Sequence, residues 1–145
     1  MAVTALVYGG FLQSLANKEV DLDSDTLKIM LCTSAYTPNQ DTHRYKSSVT
    51  GEVTGTGYTS GGNTLGSVAV TYTAGTNTLM LDAADTSWAN STITARYAVI
   101  YDSTPATDAT RPLIAYIDFG ADVSSSGAAF NITFDAAGIV TLTAA

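Results

Sequence analysis

The chain has 145 residues, thirteen acidic against six basic side chains, and a formal net charge of −7. That length suits a single domain with an ordinary core. The six cations, Lys18, Lys28, Arg44, Lys46, Arg96 and Arg111, are scattered along it, whereas a nucleic-acid-binding surface clusters them, so no nucleic-acid partner is expected. Charged residues are only 13% against 46% apolar, and serine and threonine make up about a quarter of the chain. This composition describes strands whose wet face carries hydroxyls, on a surface with little charge to oppose subunit packing.

In chain order, residues 1–17 are apolar, with no basic residue before Lys18. A secretory signal needs a charged start ahead of its apolar run, and no run here approaches a membrane span of about 18–20 residues. A soluble protein made in the cytoplasm is expected, with no membrane partner. Between Ala2 and Ala16, Tyr8, Phe11, Leu12 and Leu15 are spaced as one helical face. The pair Gly9-Gly10 costs about 1 kcal/mol per residue within a helix, which predicts a break there.

Val20–Asp25 is an acidic turn. Asp21, Asp23 and Asp25 resemble the opening of a calcium loop, but Thr26 stands where its glycine belongs and Cys32 where its bidentate glutamate belongs. A turn placing carboxylates ahead of a strand is the better reading. Thr26–Thr33 follows, with Leu27, Ile29 and Leu31 alternating against Lys28, Met30 and Cys32, the period of a strand with one mainly apolar face. Cys32 is the only cysteine, so the monomer has no disulfide or thiolate cluster, and a small buried thiol is expected.

Residues 34–66 form a long polar loop region with a short strand around Glu52–Tyr58, and loops of this length are usually functional or mobile. Arg44 and Lys46 read as a solvated part of it. His43 is the only histidine. A Ser-His-Asp arrangement would have to use it, yet its polar surroundings favour a solvated or interface-lining role. The chain has no Gly-x-Ser-x-Gly elbow and no His-Glu-x-x-His. Gly55–Gly61 looks like a phosphate loop but misses its spacing by one residue and lacks the lysine, so glycine bends at strand ends explain it.

Ser67–Thr73 alternates Val68, Val70 and Tyr72 against small or hydroxyl residues, and with the strand Thr78–Asp82 it forms a hairpin candidate about Ala74–Asn77. A connection holding Trp88 leads to two short apolar and aromatic runs, Ala95–Asp102 and Leu113–Gly120, separated by a turn-rich piece with Pro105 and Pro112. Gly120–Gly127 reads as a flexible loop. Phe130–Phe134 and Ile139–Leu142 read as a closing hairpin through Asp135–Gly138. Trp88, Tyr97 and Tyr101 could line a sugar platform, although core packing is the ordinary role of aromatics near strand ends. Asn90 and Asn131 match the glycosylation pattern, which carries no weight without a signal peptide.

About eight strands without long helices between them predict an all-β fold. The expected form is an antiparallel β-sandwich or jelly roll with a short N-terminal helix, as one domain over 1–145. No residue is assigned a catalytic, cofactor-binding or metal-binding role, and the chain is not expected to be an enzyme.

Three groups of residues resemble small virion proteins of tailed bacteriophages. These are Leu22–Leu31 with Ala35–Pro38 and Asp41–His43, then Tyr97–Asp102 with Arg111–Asp118, then Phe134–Ile139. The resemblance spans nearly the whole chain, and its motifs mark strands and turns. It implies a virion structural protein of the head or tail. The leading expectation is a decoration (cement) protein, a homotrimer bound outside the shell formed by the major capsid protein. Met1–Leu15 and Ser34–Gly62 are its expected contact segments. A tail or tail-fibre component that contacts the host is the alternative. A carbohydrate-binding or hydrolytic module, using Trp88 or His43, is the third reading.

Overall fold

The computed structural model describes residues 2–145. At its centre is a hairpin far longer than the two apolar runs that announce it. Strand β6, Thr86–Asp102, pairs antiparallel with β7, Leu113–Ile132, from Thr86 opposite Ile132 to Tyr101 opposite Leu113. The connection holding Trp88 and the expected loop Gly120–Gly127 are therefore both strand. Three of its four register shifts fall beside left-handed backbone at Asn90, Gly120 and Gly127, a conformation that some β-bulges use. Cross-strand hydroxyl pairs, Ser91 with Ser125 and Thr94 with Ser124, each at 2.7 Å, join the polar half.

Around this hairpin β1 (Thr4–Val7), β2 (Leu27–Cys32) and β3 (Asn63–Thr64) complete a five-stranded sheet in the order β1-β7-β6-β2-β3. A second sheet holds β4 (Ala69–Thr73), β5 (Thr78–Asp82) and β8 (Val140–Thr143) in the order β4-β5-β8. All pairings are antiparallel, and the chain is an all-β sandwich with one short α-helix.

The β4–β5 hairpin forms as expected, turning at Ala74–Asn77 with Asn77 in the left-handed region. The closing hairpin does not form. Asp135–Gly138 makes its turn, Gly138 N–H donating to the Asp135 carbonyl at 2.9 Å, but it carries the chain from one sheet to the other, where β8 pairs with β5. Nor is Glu52–Tyr58 a strand. Its only β-type pairing with the sheet among the described residues is through isolated bridges, Glu52 with Cys32 and Thr56 with Thr92.

The N-terminal segment splits at the diglycine. Thr4–Val7 is strand, paired with Ala115–Asp118, and helix α1 spans Gly9–Ala16. Gly10 belongs at its first turn because a Cβ there would lie 2.8 Å from Cγ of Arg44 in the crossing loop. Phe11 and Ser14 form the buried face and Leu12 points outward. The expected apolar face is therefore rotated, since Tyr8 precedes the helix and packs separately.

Alternation along β2 sorts its side chains onto two cores. Leu27, Ile29 and Leu31 join Phe11, Leu81, Trp88 and Val140 between the sheets. Met30 and Cys32 join Tyr8, Tyr36, Val99, Tyr101 and Tyr116 on the opposite face. Tyr36 makes the polar segment after β2 a cover for a second apolar core, and this is why both faces of β2 are buried.

Candidate functional site

Strand β1 is an edge. It covers only Ala115–Asp118 of β7, and β7 has no other neighbour on that side among the described residues. Edges of this kind normally carry lysine, proline or a covering loop. Thr4–Val7 carries no lysine or proline, the loop reaches only its last carbonyl, where Gln40 Nε2 donates to Val7 at 2.8 Å, and residues 2–17 hold no charged side chain. Val3 is 62% exposed, Leu6 40% and Leu12 51%. They are three of the five large apolar side chains exposed among the described residues, and a fourth, Val123, lies further along β7.

Beside this edge lies an apolar groove of about 520 Å³, whose walls include Val3, Ala5, Ile117, Phe119, Phe134 and Ile139. The edge beyond Asp118 runs through Ala121–Ala129, almost wholly exposed and rich in serine and alanine. Small side chains leave its backbone amides and carbonyls open to a flat partner. The arrangement suits adhesion to protein by backbone pairing and apolar burial.

Singled-out residues elsewhere are absorbed by the fold. In the acidic turn, Asp23 N–H donates to the Asp21 carboxylate at 3.0 Å and Asp21 N–H to the Asp25 carboxylate at 2.7 Å. Among the described residues no group of three or more His, Cys, Asp or Glu side chains is placed to hold a metal. His43 Nδ1 lies 2.9 Å from the Tyr36 hydroxyl and accepts from Asn39 N–H at 3.3 Å, so it fixes the covering loop. Cys32 is buried, and burial pushes its thiol up to about 12.

Trp88 is no sugar platform. It is 3% exposed, stacked beneath Tyr58 at 5.9 Å and edge-on to Phe130 at 6.1 Å. Tyr101 is buried as well, its hydroxyl donating to the Gly61 carbonyl. Arg44 and Lys46 are not a solvated pair. Arg44 binds Glu19 at 2.8 Å and Lys46 binds Asp108 at 2.8 Å.

Glu52 had no signal in the sequence. Its carboxylate accepts from the Tyr58 hydroxyl, the Ser60 hydroxyl and Gly61 N–H, and so closes the glycine-rich loop on itself. The edge formed by β1 was equally hidden, because its apolar spacing reads as helix.

No protein-family model, curated protein or solved structure matches the chain.

Proposed function

We propose that the chain is a non-enzymatic structural protein of a tailed-bacteriophage virion. In this reading it is a decoration (cement) protein, bound as a trimer to the outside of the shell made by the major capsid protein. The observation that carries it is the uncharged N-terminal edge strand with its exposed Val3 and Leu6 beside the apolar groove. A repeating shell rewards such a surface, because a trimer engages several subunits together and each contact can be weak. The resemblance of Leu22–Leu31, Tyr97–Asp102 and Arg111–Asp118 to small phage virion proteins points the same way.

Stoichiometry of purified particles tests the reading. A cement protein approaches the major capsid protein in copy number on a denaturing gel. A copy number in the tens places the chain in the tail instead, and absence from the particle overturns a virion role.

A further inference from the structure

Although their positions in the sequence are scattered, Lys28, Lys46 and Arg111 converge on one polar pocket of about 300 Å³. They are half of the six cations in a chain of net charge −7. Asp108 is the only acidic residue lining it, and it is shared by Lys46 at 2.8 Å and Arg111 at 2.9 Å. The pocket thus keeps a surplus of positive charge within an acidic protein. Glu52, nearby, is already held by Tyr58, Ser60 and Gly61.

We propose that this pocket binds a sugar unit carrying one anionic group, a carboxylate or a phosphate. The cations supply the anion's donors. Lys28 forms no ion pair among the described residues. Arg111 commits Nε to the Pro105 carbonyl and Nη1 to Asp108, which leaves Nη2 to donate. Lys46 lies over the Tyr101 ring at 5.5 Å, which fixes the direction of its ammonium. Charge-assisted bonds from such preset donors are the strong ones.

The hydroxyls at the pocket select for more than a bare anion. Each has its proton committed: Ser60 to Glu52, Ser103 to the Thr26 carbonyl and Tyr101 to the Gly61 carbonyl. Each therefore offers the ligand only lone pairs, and lone pairs call for donors. A ligand with hydroxyl groups beside its negative charge satisfies both sets, and the volume lies at the lower end of small-ligand sites. Strand β7 separates β1 from β6 and β2 in the sheet order, so occupancy here and adhesion through β1 are independent, and either can fail alone.

The test is titration of the full chain, followed by calorimetry and amide chemical shifts. The probes are methyl glucuronide, glucose 6-phosphate, neutral methyl glucoside and inorganic phosphate. At least one acidic sugar binds with a Kd of about 1 mM or tighter, at least about tenfold tighter than the glucoside or phosphate. The tighter of the two identifies the anionic group. Shifts concentrate at Lys28, Ser60 and Ser103, and Lys28→Gln weakens binding about tenfold at unchanged melting temperature. Failure of both acidic sugars to bind at about 10 mM overturns the proposal. So does equal binding of inorganic phosphate or the glucoside, or undiminished affinity in Lys28→Gln.

Discussion

The hydroxyls of Tyr8 and Tyr36 meet at 2.9 Å in the core beneath the covering loop, with both residues almost wholly buried. Tyr36 continues the chain to His43 Nδ1, while Tyr8 has no other side-chain hydrogen bond. Burial and this contact raise the Tyr8 phenol far above its ordinary range, and burial pushes Tyr36 up to about 12. Tyr36→Phe therefore strands the Tyr8 hydroxyl without water, at a cost of about 1–3 kcal/mol. Tyr8→Phe costs less, because Tyr36 keeps His43. The double variant costs less than the sum of the two. Chemical denaturation of all four proteins checks the order.

Asp102 is fully buried. One carboxylate oxygen accepts from Thr104 N–H at 2.8 Å and the other has no donor. Burial, with Asp25 beside it, pushes this carboxyl up to about 6 from an ordinary 3.8. Between those values the folded chain keeps a proton that the unfolded chain has released. Stability from this group is therefore complete below about pH 4, falls as pH rises to about 6, and stays lost above, by about 2–3 kcal/mol. Asp102→Asn removes the charge and adds a donor toward Asp25. It melts higher than the wild type at pH 7.5, and the two converge near pH 4.

Gly62 sits at φ 76°, and a Cβ there would meet the backbone carbonyl of Ile29 in β2. Neither the strained angle nor a strand backbone can yield cheaply. Gly62→Ala costs more than about 2 kcal/mol, whereas Gly75→Ala, which meets nothing within 4 Å, is nearly neutral. Thermal melts of the two variants separate these cases.

Trp88 is the only tryptophan, and Tyr58 covers it through a hydroxyl bonded to Glu52 and to Leu31 N–H. Glu52→Ala removes three acceptor contacts at once. The loop lifts, and Trp88 emission shifts to the red and becomes open to an aqueous quencher. Glu52→Gln retains part of the acceptor set and shows a smaller shift.

What could be read from the chain beforehand followed the strength of local patterning. Leu27, Ile29 and Leu31 recur at period two and Thr78–Asp82 is a short apolar run after a turn, and both strands lie where those patterns put them. Ala95–Asp102 and Leu113–Gly120 were evident as apolar runs. Their extensions through Thr86–Thr94 and Ala121–Ile132 were not, since serine, alanine and glycine show no alternation and the pairing there rests on backbone bonds and hydroxyl ladders. Thr4–Val7 is strand only because Ala115–Asp118 offers it an edge, a tertiary choice that overrides helical spacing. The meeting of Lys28, Lys46 and Arg111 had no local signature, because β2, the covering loop and the β6–β7 turn contribute one cation each.

In the proposed function, the β1 edge is what holds this molecule to a protein lattice. Val3 and Leu6 are exposed, so Val3→Glu with Leu6→Glu leaves the fold intact while placing one charge on β1 and one just ahead of it. Co-sedimentation with heads purified without the protein measures the consequence. The wild-type chain pellets with the heads and the double variant stays in the supernatant at the same melting temperature. Equal pelleting of the two, or no pelleting of the wild type, would contradict the account.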